Sequence, residues 1–553
     1  MQTIDRLIRD RAGDERVGLA YEDRTWTHAQ VTAAQADRAA ALAALLKPGP
    51  FHIALLLDNI PEYVFWMGGA ALAGAVVVGG NPTHRGDELA RDLSHTNCQL
   101  LVTDQRYATL VDGHDLGPAL PPDRILIIDD PGGNSTAASS YGRLLAGVAG
   151  SPLPDPSDTA IDEDSLGLLL FTSGTSGAPK ACRCTQGRLA RIGGIVAQMF
   201  ALTPDDVCYL AMPLFHSNAL MAGWAPALSA GATAVLRARF SASQFLPDVR
   251  KHGVTYFNYV GKPLSYILAT PAEPDDADNT LVRAFGNEGA EIDVARFAER
   301  FGCTVQDAYG STEGGASVTR TPDTPRGALG RALEGTLILD PETGEECPRA
   351  ILDEHGRLTN PDEAVGELAS KVDGAGFEGY YRNDEADAVR LRNGWYWTGD
   401  LAYRDENDFF YFAGRDYDWL RVDGENFAAA PVEAILKRFP DVVLASVYAV
   451  PDSVVGDQVM AALQLRPGAD FDPGAFAAFL AAEEDLGTKW GPTFVRIAVE
   501  LPVTATTKVL KRVLRTESWH CADEVWWRPA KDGPYRRLTP DDTVALDAAI
   551  GAR

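Results

Sequence analysis

An apolar run, Leu166 to Phe171, empties into TSGTSGAPK, Thr172 to Lys180, and this junction constrains the chain more than any other stretch. A strand that delivers the backbone into a small, flexible turn leaves N–H groups and hydroxyls free to wrap phosphate oxygens. Thr172, Ser173, Thr175 and Ser176 supply hydroxyls, Gly174 and Gly177 supply freedom, and Lys180 closes the cradle. The nucleotide-kinase loop needs Gly-Lys followed by Ser or Thr. Here Pro179 precedes the lysine and Ala181 follows it, which excludes that loop. The bland alternative is a Ser/Gly-rich surface turn.

The 553 residues are too many for one ordinary core and predict at least two domains, one of them large. Hydrophobic content of 46% with 23% charged residues fits a soluble globular chain, and no apolar run reaches the roughly 18 residues of a membrane span. The start, MQTIDRLIRDRAGDERVG, mixes acids with bases and lacks an apolar signal core, so a cytoplasmic location is expected. A net charge of −27 argues against an extended nucleic-acid footprint and requires any polyanionic substrate to find a locally basic site. Lys180, Arg183, Arg188 and Arg191 offer one, with a solvated helix face as the alternative for all but Lys180. The seven cysteines are scattered and unpaired in spacing, so they read as reduced thiols, and no structural zinc is expected. Cys182 and Cys184 would share one strand face.

Helical runs alternate with short apolar strands through the first half, the pattern of helices layered on mostly parallel sheets. Helices are expected at 33–46, 61–73 and 87–93, strands at 52–57, 76–79 and 100–103, and a surface connection over 130–158. From Gly394 the texture becomes hairpin-rich, and beyond it helices at 431–438 and 473–483 alternate with strands at 442–450 and 494–499. A boundary at residues 415–418 divides an N-terminal domain, 1–415, from a C-terminal domain, 416–553.

AYGSTEGG, Ala308 to Gly315, combines a Tyr309 ring able to stack on a purine, the Thr312 hydroxyl for an α-phosphate oxygen, and the Glu313 carboxylate suited to Mg²⁺. A helix-capping turn is the alternative. Together with the first loop it resembles the AMP-forming adenylate superfamily of acyl-CoA synthetases, adenylation domains and luciferases. Five ordered motifs carry that resemblance across nearly the whole chain. NYVGKPLSYIL, VDGENF and the tail VWWRPAKDGPYRRLTPDD resemble its fatty-acid-transport-protein and very-long-chain branch, and the amino-terminal anchor of many such relatives is not expected here.

The resemblance implies a large N-terminal domain of two α/β layers plus a small β-barrel, and a mobile α+β C-terminal domain. It implies ATP, Mg²⁺ and CoA as reactants, with AMP released. FGNEGA would line the adenine through Asn287 and Glu288, alongside Tyr309, Gly310 and Ser311. Asp400 of TGD would accept the ribose hydroxyls and Arg415 hold the ribose. Lys508, in LPVTATTKVLKR, would neutralise charge where carboxylate attacks the α-phosphate. With only ten lysines against forty arginines, a lysine kept there is itself informative. His216, in AMPLFHSNALMAG, would gate the carboxylate pocket, and the absence of an aspartate just after it disfavours an α-amino acid. Met221, Trp224, Phe257, Tyr259, Gly261 and Tyr266 would line a pocket for a bulky apolar acid. Asp416 and Tyr417 would form the hinge, and pantetheine would pass Gly424. A homodimer is left open.

Two departures touch the adenylation pose. Tyr417 stands where the family hinge is commonly Lys or Asp, and Thr507 where glycine usually precedes the catalytic lysine. An enzyme that only converts preformed acyl-adenylates to thioesters therefore stays open beside the full ligase. So do a non-catalytic nucleotide-binding module and a luciferase-like oxidase.

Overall fold

The helix Pro61–Ala73 is apolar all round and buried along almost its whole length, and two large sheets and their helices are organised about it. Pro61 occupies its first turn and Gly74, at φ 68°, ends it. Gly68 and Gly69 let it approach the helix His28–Leu45, because a Cβ at Gly68 would stand 2.2 Å from the Gln35 side chain. A computed structural model describes residues 2–46, 51–129, 139–172, 180–414, 419–422, 425–452, 456–504, 508–530 and 533–551.

The first sheet has six strands in the order Ile125–Ile128, Leu100–Asp104, His52–Leu56, Val76–Gly79, Leu166–Thr172 and Lys180–Thr185. All its pairs are parallel except the last. Its central strand His52–Leu56 is buried on both faces, which explains the unbroken apolar run. The second sheet has nine strands, ordered Arg331–Ala332, Ser317–Thr319, Thr304–Gly310, Arg283–Asn287, Tyr256–Val260, Val207–Leu210, Thr233–Leu236, Val17–Tyr21 and Arg24–Thr27. A third, antiparallel and half-barrel-like, joins Thr336–Leu339, Gly366–Lys371, Leu391–Arg392, Trp395–Arg404 and Phe410–Gly414. The fourth runs from Trp419 to Arg537, has seven strands and carries its own apolar core around Val447, Ala461 and Phe476. This is the two-domain α/β architecture expected, with a half-barrel sheet for the small barrel. No helix among the described residues is long and apolar enough to cross a membrane.

The elements at 61–73 and 76–79 fall where periodicity puts them. The surface connection over 130–158 does not hold throughout: Ser140–Val148 is a helix capped by the Ser139 hydroxyl. Its Tyr141 is fully buried, donates to Glu62 Oε2 at 2.7 Å and accepts from Trp66 Nε1 at 2.7 Å. Arg38 completes this network through Glu62 Oε1 at 2.6 Å. Gly and Ser density hid a helix that tertiary packing stabilises.

Candidate active site

The cradle motif forms a hairpin base: Leu166–Thr172 pairs antiparallel with Lys180–Thr185, and Thr172 stands opposite Lys180. Ser173, Gly174, Thr175, Ser176 and Gly177 lie outside the described residues. Lys180 is half-buried, and burial together with the Arg390 guanidinium holds its ammonium below the usual lysine range, while Glu313 acts the other way. Cys182 and Cys184 do share the buried face of their strand, where burial pushes the Cys184 thiol up to about 12.

Glu313 follows the strand Thr304–Gly310 and is 8% exposed. Tyr380 donates to its Oε1 at 2.9 Å, and Arg390 Nε donates to the Tyr380 hydroxyl at 3.4 Å. The turn beneath lies flat on Tyr396: a Cβ on Gly315 would fall 1.6 Å from that ring. Thr312 shares a hydrogen bond with Ser217 at 2.8 Å. Its carbonyl accepts from Arg188 Nη2 at 2.8 Å, and the Cys182 thiol lies 3.6 Å away.

Arg188 is therefore neither a phosphate ligand nor a solvated residue. It is 2% exposed and its Nη1 also donates to the Arg183 carbonyl at 3.0 Å, tying the hairpin to the Thr312 turn. Arg183 and Arg191 are exposed. The usable signal for Arg188 was Thr185, whose hydroxyl accepts the Arg188 N–H and caps the helix Gln186–Met199. Tyr380 and Arg390 carried no sequence signal, since they are 67 and 77 residues away from Glu313.

Along the second sheet three amides form a chain. Asn287 Nδ2 donates to the Ala308 carbonyl at 2.7 Å, Asn218 Nδ2 to Asn287 Oδ1 at 3.2 Å, and Asn258 Nδ2 to Asn218 Oδ1 at 2.8 Å. Gly261, at φ 65°, donates its N–H to the Asn287 carbonyl at 2.7 Å. Tyr309 donates to Asp400 Oδ2 at 2.6 Å across to the third sheet, so the supposed purine and ribose residues are joined here. Gly310 ends the Tyr309 strand, and Ser311 opens the turn to Thr312.

Lys508, just before the helix Lys511–Glu517, pairs with Glu288 Oε1 at 2.5 Å. Glu288 itself sits in the left-handed region at φ 64°. The Lys508 charge also bears on His216, whose Nε2 is buried with no hydrogen-bond partner among the described residues. Burial first, then Lys508 and His84, hold the imidazole down to about 3, so it is neutral at physiological pH. Lys180, Glu313, Thr312, Ser217, His216, Lys508 and Glu288 are thus linked one to the next by charge, chain adjacency, a hydrogen bond and an ion pair. Arg415, Asp416, Tyr417, Gly424 and Thr507 lie outside the described residues.

The pocket expectation needs correction on the strand Tyr256–Val260. Side chains alternate across a strand, and Tyr256 and Asn258 face the segment after His216: Tyr256 donates to the Ala222 carbonyl at 2.7 Å. Phe257 and Tyr259 point the other way. Phe257 packs against Phe245 at 4.9 Å between ring centroids, and Tyr259 donates to Asp307 Oδ2 at 2.8 Å. Tyr266 packs on the C-terminal apolar cluster. Met221 is partly buried on the π-helical stretch Ala219–Trp224, the kind of widened turn frequent at functional sites. Trp224 is buried behind it, beside a small cavity bordered by Ile8, His28, Gln35 and Val64.

Residues 9–381 match the AMP-binding enzyme family. The chain is 52% identical over 548 residues to a steroid-22-oyl-CoA synthetase of Rhodococcus jostii (strain RHA1), covering 99% of this chain and 96% of that one. It is 46% identical over 531 residues to the medium/long-chain-fatty-acid–CoA ligase FadD17 of Mycobacterium marinum (strain ATCC BAA-535 / M), covering 96% and 99%. An anthranilate CoA ligase, AuaEII, in complex with anthranoyl-AMP shares the fold at a TM-score of 0.79 and 21% identity, over 94% and 97% of the two chains. The family match and the relatives define an adenylate-forming enzyme. The chain belongs to the AMP-binding enzyme family and is an AMP-forming acyl-CoA ligase, working through an acyl-adenylate.

Proposed function

We propose that the acid is bulky and largely apolar, a steroid carrying a side-chain carboxyl or a medium- to long-chain fatty acid, and that Lys508 serves its adenylation. The pairing of Lys508 with Glu288, its charge bearing on His216, whose chain neighbour Ser217 bonds Thr312, is the observation that carries this reading. The acyl groups named for two similar proteins, steroid-22-oyl and medium/long-chain fatty acyl, support the choice of acid.

Thr172, Lys180 and the intervening Ser173–Gly177 segment hold the β- and γ-phosphates of ATP, and the Thr312 hydroxyl meets the α-phosphate. Glu313 suits the magnesium that accompanies ATP: it is a hard carboxylate beside Lys180, with one oxygen engaged by Tyr380. That ion would supply charge neutralisation on the phosphates. Asn287, Glu288 and Tyr309 border the base, and Asp400 with Arg415 the ribose. Neutral His216 orients the carboxylate without pairing with its charge. A carboxylate oxygen attacks the α-phosphorus, pyrophosphate leaves, and Lys508 steadies the charge as it transfers from Glu288. The domain of residues 416–553 then turns about Asp416 and Tyr417, withdrawing Lys508. Pantetheine enters past Gly424, the CoA sulfur attacks the acyl carbonyl, and AMP departs.

A screen of CoA-dependent thioester formation across carboxylic acids, with chemically prepared acyl-adenylates in parallel, tests this. Preference for C22-steroid or fatty acids is expected. Preference for small aromatic or amino acids would refute it.

A further inference from the structure

The contact between the two parts of the chain contains a buried ion pair that the chemistry does not use. Lys437 ends the helix Ala429–Leu436 of the C-terminal part and is 5% exposed, while Asp293, in the helix Glu291–Phe301, is 6% exposed. The Lys437 ammonium pairs with Asp293 Oδ2 and donates to Ser265 Oγ at 3.0 Å, and the Ser265 hydroxyl donates to the same carboxylate oxygen. All three side chains are more than nine-tenths buried. The helix Pro263–Leu268, which presents Ser265, also sends Tyr266 into the apolar cluster of Leu444, Tyr448 and Leu501. Nearby, Glu433 is one turn before Lys437 and pairs with Lys511 at 2.9 Å, so its charge is already engaged. The half-buried Lys262, whose ammonium burial and Lys437 both hold below the usual lysine range, adds no partner for Lys437.

Among the described residues two ion pairs join the parts, and they differ in kind. Lys508–Glu288 is 44% and 49% exposed at its side chains, and it must open for Lys508 to meet substrate. An exposed pair of that sort holds little. Lys437–Asp293 is 6% and 8% exposed and shares no residue with the Lys508 pair. Loss of one partner from a buried pair strands the other charge without water, whereas in a turned pose both ions would be hydrated.

We propose that Lys437 is a positioning residue: with Asp293 and Ser265 it clamps the C-terminal domain in the pose that delivers Lys508, so that it serves adenylation and not thioester formation. The inference rests on the two-pose reading above. Neutralising one partner penalises only the adenylation pose, and neutralising both relieves the penalty, because Asn at 293 still accepts from Ser265.

The test measures acid-dependent ATP–pyrophosphate exchange and thioester formation from supplied acyl-adenylate, with dodecanoate and a C22-carboxyl steroid as the probe acids. Lys437→Met and Asp293→Asn should each lower exchange by about tenfold or more. Thioester formation should hold or rise, and the double variant should recover most of the exchange. Equal losses in both half-reactions, unchanged exchange, or a double variant worse than either single one would overturn the clamp. Lys508→Ala, run alongside, keeps the two readings apart. If it separates the half-reactions and Lys437→Met does not, only the clamp falls; if Lys508→Ala depresses both equally, the two-pose reading falls and takes the clamp with it.

Discussion

Replacing Lys508 by alanine separates what this lysine does for folding from what it does for chemistry. Its ion pair with Glu288 is short, at 2.5 Å, but both side chains are nearly half exposed. Such a pair contributes at most about 1 kcal/mol to stability, and Glu288, still hydrated, suffers no stranded charge. The melting transition should therefore move by no more than about 2 °C. On the proposed role the ammonium faces charge shifting between the carboxylate and the α-phosphate during adenylation, taken at a contact separation of about 4 Å. At an effective dielectric near 20 that interaction is worth about 4 kcal/mol. Removal of a preorganised donor typically costs about 10²–10³ in rate, about 2.7–4 kcal/mol, so the catalytic effect should outweigh the structural one by a wide margin. The assay is acid-dependent ATP–pyrophosphate exchange, compared with thioester formation from chemically prepared adenylate. Exchange should fall by about 10²-fold or more while thioester formation stays near wild type. Exchange within about threefold of wild type, or equal loss of both half-reactions, would refute the assignment of Lys508.

Arg188→Met removes two hydrogen bonds, to the Arg183 and Thr312 carbonyls, and should cost about 2–4 kcal/mol of stability together with adenylation. Arg188→Lys should restore only part of it, because an ammonium lacks the guanidinium fork; denaturant unfolding that leaves the methionine variant unchanged would reject the role. Glu313→Gln should raise the magnesium concentration needed for pyrophosphate release while AMP binding survives better, and an unaltered metal dependence in the folded variant would reject it. Two buried groups set opposing pH slopes. His216 is held down to about 3, so between there and the ordinary value of about 6.5 the unfolded chain binds more protons and acidification costs stability. Asp307 is held up to about 7 by burial, so its contribution is complete below about 3.9 and is lost as pH rises through about 7. Asp307→Asn should therefore make the unfolding free energy climb more steeply from about pH 4 to about 6.5, and an unchanged slope in denaturant titrations would count against it.

The sequence alone was enough for the class of protein and the two-domain α/β architecture, and it supplied the candidate residues of a nucleotide site. Those features are written in short contiguous segments. A strand emptying into Thr172–Lys180, or Tyr309 to Glu313 at the end of another strand, carries its chemistry in neighbouring residues whose spacing the backbone preserves. Likewise the apolar periodicity of 61–73 and 76–79 already contains the helix and the strand. What only the tertiary structure decided is which side chains meet across long separations and which face of an element is inside. Nothing local in the sequence marks Tyr380 and Arg390 for the surroundings of Glu313, or Lys437 for Asp293, and the Thr185 cap that marks the start of the Arg188 helix does not say that the guanidinium meets the Thr312 carbonyl. The strand Tyr256–Val260 makes the same point within five residues: it is buried on both faces, so hydrophobicity does not distinguish them, and only its neighbours turn Asn258 toward Asn218 and Tyr259 toward Asp307. Burial and charge pairing are properties of the packed whole, set by desolvation that no single segment experiences alone.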